Sequence, residues 1–226
     1  MATDAMKAIQ SLIMAQFGSD FAHREGLGAK PVVTVSRDYG SGGREIATML
    51  ARQLDVPTYD RELLDAVAQK TGTRRQLVEE LDEKTRGFWD SWIMSILSGE
   101  NLLEDNYRRY LVKAVLDVLN TGGVIVGRGA HVILASRSVF RVRIVASPEV
   151  CARRIAARKN IPLEEARDQV AQKNKGRSEF VWTHFKSRLN DPTAFDLVIN
   201  TDHLERSEDV VEIILFAMAR YYKKRQ

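Results

Sequence analysis

Hydrophobic positions along this chain fall into two rhythms. Short uncharged runs rich in β-branched residues alternate with longer stretches whose apolar residues recur every three to four positions. Val32–Val35 is the first short run and reads as a central parallel strand, a type buried on both faces. IATMLARQL (Ile46–Leu54) has helical spacing and predicts a helix over roughly 43–54. Asp55-Val56-Pro57 ends that helix, and Thr58-Tyr59-Asp60 reads as a short second strand closing on a carboxylate. Val124–Val126, Phe140–Ala146 and Phe195–Asn200 read as three more strands, the Phe140 strand interrupted by Arg141 and Arg143. Helical patterns cover 1–22, 149–159, 162–189 and 207–222, and most of 61–120 as Glu62–Lys70, Arg74–Lys84, Phe88–Leu97 and Asn101–Leu119. Strands alternating with helices predict an α/β fold around a parallel sheet. The predicted divisions are an N-terminal helical extension, 1–30, and a main domain, 31–226.

With 226 residues, 44% of them hydrophobic, the chain can bury one sizeable core. The net charge is only +4, which suits small anionic ligands. No long basic block accompanies it, so nucleic acid is not an expected partner. No apolar run approaches the roughly 20 residues of a membrane span, so no membrane partner is expected either. The N-terminus lacks a charged region followed by an apolar one. Cys151 stands alone, which rules out an intramolecular disulfide and suits a packing role; the expected location is the cytoplasm. Ile9, Leu12, Ile13, Phe17 and Phe21 give the first helix an apolar face for the core or a partner subunit. Trp89 and Trp92, beside Phe88, Ile93, Ile96 and Leu97, read as core or dimer contact rather than a base-stacking platform, which leaves a homodimer open.

Ligands of open parallel sheets sit beyond the carboxyl ends of the strands. The residues there are SRDYGSGG, Asp60, Gly127-Arg128-Gly129 and Ala146-Ser147-Pro148. Glycine, arginine and acid dominate, a set suited to a phosphate-bearing ligand. Gly40, Gly42 and Gly43 lie just before a helix, where backbone N–H groups and the helix dipole together bind anions. Three glycines in four residues exceed what an ordinary turn needs. The dinucleotide pattern G-x-G-x-x-G fails at Glu45. Against G-x-x-x-x-G-K-[ST], Arg37 replaces the first glycine, Gly43 the lysine and Arg44 the hydroxyl residue.

The runs VSRDYGSGGREIA, PTYDRELL, VIVGRGAHVIL, RVRIVASPEVCARRIA and FDLVINTDHL together resemble the cytidylate kinase-like family, a divergent branch of the P-loop nucleoside monophosphate kinases, over about residues 31–215. The resemblance implies a three-layer P-loop kinase fold with a five-stranded parallel sheet. It also implies a helical acceptor-binding insertion, placed at 61–110, and a lid region, placed at 152–190. Gly40, Ser41 and Gly42 match the family's ATP phosphate loop, while Gly43 falls on its lysine and Glu45 on a threonine that helps hold magnesium. Asp60 and Arg128 match acceptor-binding positions, with Gly129 where an aspartate usually follows. Arg154 and Arg158 resemble the first basic cluster of the lid. Arg177 resembles the last arginine of an Arg-Asp-x-x-Asp-x-x-Arg run in which Asn174 replaces the second acid.

Phosphoryl transfer depends on positioning and on positive charge around the moving group. Arg37 and Arg44 flank the glycines and can each offer a guanidinium in place of the lysine. Arg44 and Glu45 join the glycines as ATP-phosphate positions; Glu45 can bind the Mg²⁺ of the nucleotide, or simply be an acid favoured in a first helical turn. Arg44 can equally be a solvated residue, and Arg153, Arg154 and Arg158 can form a salt-bridged surface with Glu164, Glu165 and Asp168. The leading expectation is ATP-dependent phosphoryl transfer to a nucleoside monophosphate, CMP or dCMP first, with Arg37, Arg44, Arg154, Arg158 and Arg177 as catalytic cations. A nucleotide sensor with an altered loop and a kinase for another small acceptor are the rival readings.

Overall fold

The computed structural model describes residues 30–65, 102–204 and 206–223. The helices expected over 1–22, Arg74–Lys84 and Phe88–Leu97, with Trp89 and Trp92, lie outside these residues, as does the part of Glu62–Lys70 beyond residue 65. In chain order the elements are β1 (Val32–Arg37), α1 (Gly43–Gln53), β2 (Thr58–Tyr59), α2 (Leu102–Thr121), β3 (Gly123–Val126), α3 (Ala130–Ile133), β4 (Phe140–Val145), α4 (Pro148–Lys159), α5 (Leu163–Phe185), β5 (Leu197–Asn200) and α6 (Ser207–Lys223). The five strands form one sheet in the order β2-β3-β1-β4-β5, every pair parallel. This is the α/β architecture that the alternating pattern implies. α3 was not anticipated, since four residues are too few to show a period.

Strand side chains alternate between the two faces, and each face has its own core. Val33, Val35, Val124, Val126, Val142 and Ile144 pack with Ile46 and Leu50 of α1 and with Val211 and Ile214 of α6. On the other face Val32 and Ile125 meet Leu111, Val115 and Val118 of α2 and Ile133 of α3. Each such side chain contributes about 1.5–3 kcal/mol by leaving water. Helices therefore cover both faces, and ligands are left the end of the sheet.

β4 runs straight through Arg141 and Arg143, where the sequence pattern suggested an interruption. Both arginines share the face opposite Phe140, Val142 and Ile144, and both are paired. Arg141 donates through Nε and Nη2 to the two carboxylate oxygens of Asp196, each at 2.9 Å. Arg143 is 4% exposed and reaches Asp38 of the β1–α1 loop at 2.5 Å. A buried guanidinium is tolerated only with such a partner.

The α4–α5 hairpin closes the same end of the sheet. Ser147 caps α4 by accepting from the Val150 N–H at 3.4 Å, with Pro148 opening the helix. Cys151, Ala152 and Ile155 pack on Ala166 and Val170 of α5. Burial, with Asp38 and Asp202 nearby, pushes the Cys151 thiol up to about 11, so it acts as a small apolar residue. α5 ends at Phe185 because Lys186 turns left-handed at φ 51°.

Asp38→Ala is expected to lower the unfolding free energy by roughly 3–5 kcal/mol, because Arg143 loses its buried partner. Adding Arg143→Met should recover much of that loss. Urea denaturation of the single and double variants checks both; equal stability of the two would show that the pair does not anchor the loop.

Candidate active site

β1 ends at Arg37 and the chain turns through Asp38–Gly42 into α1. The turn is tight at Gly40, φ 97°, where a Cβ would lie 2.6 Å from the carbonyl oxygen of Cys151. Close seating of the loop on the first turn of α4 therefore requires glycine. Ser41 is buried and fastens the loop from below, donating to the carbonyls of Asp38 (3.0 Å) and Ile144 (3.2 Å). Thr201, just past β5, donates to the Ser41 carbonyl at 3.1 Å. Gly42 caps α1 without a side chain, so the first N–H groups of an eleven-residue helix keep no side-chain acceptor. Free N–H groups at a fixed helix start form an anion cradle. This is where the glycine-rich stretch led the sequence reading.

A second loop faces the first across the sheet end. Gly127, Arg128 and Gly129 follow β3 with φ values of 83°, 53° and 69°. A left-handed arginine costs about 1–2 kcal/mol, and strain of that kind concentrates at functional sites. The backbone aims Arg128 at Asp65, which it grips with both Nε (2.8 Å) and Nη2. Tyr107 of α2 donates to the same carboxylate at 2.7 Å, and the Phe180 ring lies 4.4 Å below the Arg128 guanidinium carbon. Burial alone would raise the Asp65 carboxyl. The hydrogen bonds from Arg128 and Tyr107 and the Arg128 charge outweigh it and hold Asp65 below the ordinary value of 3.8.

Between the loops lies a cavity of about 380 Å³, roofed by α5. Among the described residues five cations line it, Arg37, Arg61, Arg128, Lys173 and Arg177, and no carboxylate does. The rest of the wall is Ser36, Tyr39, Gly127, Gly129, His131, Gly176, Phe180, Val181 and Leu189. Arg37 feels the excess charge: burial and the guanidiniums of Arg177, Arg44 and Arg128 lower it to about 9, against a weaker pull from Asp60. It still carries its charge at neutral pH. His131 is neutral, pushed down to about 3 by burial and by Arg143 and Arg141. Its Nδ1 lies 3.2 Å from Ser36 Oγ. α5 also holds the glycine loop directly: Asn174 accepts the Tyr39 N–H at 2.7 Å and Arg177 donates to the Arg37 carbonyl at 2.9 Å.

Of the residues singled out from sequence, Arg37, Arg128 and Arg177 meet in this cavity. Gly40, Ser41, Gly42 and Gly43 form the cradle beside it. Arg44 turns outward, 71% exposed, to Asp60 at 3.0 Å and Glu62 at 3.8 Å. Asp60 caps the helical turn 61–65 through the Leu63 N–H at 3.1 Å. Arg154 donates to the Thr201 hydroxyl (3.0 Å) and carbonyl (2.7 Å), tying α4 to the end of β5. Arg158 lies 5.9 Å from the Tyr39 ring centre, on the outer side of the loop. Neither Arg154 nor Arg158 is part of the cavity wall. The inter-helix ion pair joins Arg167 of α5 to Glu149 of α4, with Glu164 one turn back on α5 as a second partner of Arg167, rather than the face drawn from Arg153, Arg154 and Arg158. Asp65, His131, Tyr39 and Lys173 are site residues the sequence did not disclose. Asp65 and Arg128 stand 63 positions apart, and no spacing rule links them.

Glu45 is exposed in the first turn of α1. Among the described residues no cluster of three or more His, Cys, Asp or Glu could hold a metal. Magnesium bound with a nucleotide needs only one or two protein carboxylates, the phosphates and waters supplying the rest. A lone exposed carboxylate at the cradle fits that chemistry.

A phosphate cradle at the start of α1, beside a cationic cavity at the end of an all-parallel five-stranded sheet, defines a phosphoryl-handling class of protein. The sequence profile of the cytidylate kinase-like family matches residues 32–203, and the chain belongs to that family. A curated cytidylate kinase from Sulfurisphaera tokodaii is 27% identical over 189 residues, covering 78% of this chain and 89% of that one. A crystal structure of an uncharacterized protein from Eubacterium ventriosum superposes with a TM-score of 0.68 at 21% identity, over 84% of this chain and 99% of that one. A shikimate kinase from Bacteroides thetaiotaomicron matches 85% of this chain and 98% of its own at 17% identity, with a TM-score of 0.46.

Asp65→Asn should weaken the charged bonds to Arg128 and lower stability by about 1.5–3 kcal/mol at neutral pH. The folded-state carboxyl lies below its ordinary value, so its contribution is present above 3.8 and fades as pH falls through the folded value. The gap between parent and variant in denaturation experiments should shrink with acidification; a gap independent of pH would contradict the pairing.

Proposed function

We propose that this protein transfers the γ-phosphoryl group of ATP to a nucleoside monophosphate, CMP or dCMP being the preferred acceptor. The observation that carries the reading is the cavity: among the described residues its wall holds five cationic side chains and no carboxylate, next to a helix N-terminus without a side-chain cap. Two phosphate-bearing substrates must bring their charges together at one place, and a site for them needs that excess of positive charge. The family and the curated cytidylate kinase relative support the acceptor class.

In this reading the N–H groups of residues 40–45 hold the ATP phosphates, and Glu45 holds Mg²⁺, which neutralises phosphate charge when bound. Arg128, fixed by Asp65 and Phe180, meets the acceptor phosphate. Arg177 reaches the gap from α5, one turn from Asn174 on the same helix face, so the same helix fixes the loop and charges the cavity. Phe180 and Val181 close the roof and exclude water, which keeps ATP from hydrolysis. The acid at Asp60 works indirectly, by capping the turn that presents Asp65. Arg154 braces Thr201 beneath the loop.

Two measurements test the reading. An ADP-release assay with ATP and a panel of acceptors should show turnover with CMP or dCMP above that with other nucleotides, sugars and hydroxy acids; turnover confined to a non-nucleotide acceptor, or tight ATP binding without product, would refute it. Arg128→Ala should weaken CMP ten- to a hundredfold, the loss of a charged hydrogen bond of about 1.5–3 kcal/mol, and leave ATP affinity nearly intact. Equal losses for both nucleotides in calorimetric titration would contradict the assignment.

A further inference from the structure

We infer that Arg37 is the cation that meets the transferred phosphate group at the junction of donor and acceptor, and that Gly43 is a glycine because the root of the Arg37 side chain lies against it on the way to Gly127. The inference rests on the phosphoryl-transfer reading above and assigns a role that the sequence pattern left divided between Arg37 and Arg44.

The side chain has a cleared path. A Cβ at position 43 would sit 2.5 Å from the Arg37 Cβ and 3.1 Å from its Cγ. A Cβ at position 127 would sit 2.3 Å from its Nη1. The root of the side chain thus lies against the donor cradle and its tip against the loop that carries Arg128. β1 and β3 are adjacent strands, so Arg37 crosses from one substrate's loop to the other's. Its Nε is enclosed and has no hydrogen-bond partner among the described residues. The fold thus leaves one donor of this guanidinium unbonded, while the residue itself forms part of the cavity wall.

The missing lysine now has a steric explanation. A Cβ cannot be placed at position 43 while Arg37 is present, because the obstructing atom is a β-carbon fixed to the strand rather than the end of a flexible chain. Lysine at 43 and arginine at 37 exclude each other. Arg44 does not compete for the role, since its guanidinium is turned outward to Asp60 and Glu62. The charge arrives from the strand rather than the helix. It therefore lies nearer the acceptor side, where it acts on the group in transit more than on bound ATP.

The test compares the parent with Arg37→Ala, Arg37→Gly and the double variant Arg37→Gly/Gly43→Lys, with Arg206→Ala, an exposed arginine outside the cavity wall, as a control. Steady-state kinetics with ATP and CMP should show kcat about a hundredfold or more lower for Arg37→Ala, the scale for loss of one preorganised donor, with a much smaller change in KM for ATP. The double variant should recover at least tenfold over Arg37→Gly, since the lysine then has both space and purpose. Gly43→Ala alone should be destabilised and regain normal melting behaviour in the Arg37→Gly background. An independent arm needs no turnover: inorganic phosphate should raise the melting temperature of the parent and of Arg206→Ala, and not that of Arg37→Ala. Near-parent kcat in Arg37→Ala, or an undiminished phosphate shift, overturns the inference. A parent inactive with every acceptor refutes the proposed reaction, and the phosphate arm then decides alone whether Arg37 is the anion-binding cation.

Discussion

Crowded positive charge at the end of the sheet is the constraint on which the other features depend. Two like charges 4 Å apart repel by about 4 kcal/mol at an effective dielectric of 20, and here several guanidiniums share one cavity. The fold bears this by placing carboxylates behind the cations rather than among them. Asp65 holds Arg128 from the side of α2, and Asp38 holds Arg143 beneath the loop. Among the described residues none of the cavity wall is an acid. Each acid thereby fixes a side chain while leaving the cavity electropositive.

Rigid elements supply the rest. β1 and β3 deliver Arg37 and Arg128 from neighbouring strands whose register is set by Val33 beside Val124 and Val35 beside Val126. The polar row Thr34, Ser36, Arg141 and Arg143 lies on the sheet face that supports α3 and His131, so the apolar core is uninterrupted on the opposite face. Thr201 joins the end of β5 to the glycine loop and to Arg154 at once. The loop is therefore held from below by two strand ends and from above by α5.

Much of this was legible in the sequence. Charge-free β-branched runs marked the strands, and the glycines of 40–43 marked the cradle, because both signals are local. The strand over Phe140–Ala146 was legible too, but not what makes Arg141 and Arg143 tolerable in it: their partners, Asp196 and Asp38, stand 55 and 105 positions away, and only the folded sheet brings them near. Asp65 was silent for the same reason. Arg37 and Arg44 looked equivalent as neighbours of the glycines. The period-two geometry of a strand end and the outward tilt of a first helical turn send them in opposite directions, and no count of charges reveals that. Arg154 carried the expected type at the expected place, yet its length is spent on Thr201.

α5 runs for 23 residues, and its last residue, Phe185, joins the core beneath α2. Near its middle Asn174 and Arg177 grasp the glycine loop; one turn further along, Phe180 lies against Arg128. One stiff rod thus touches both of the loops to which the proposed reaction assigns its phosphates. Binding energies linked through a shared body are reciprocal. Whatever free energy one ligand spends or gains in settling this rod is returned in equal measure to the affinity of the other. The two halves of the site, built from loops nearly ninety residues apart in the chain, behave thermodynamically as a single ledger.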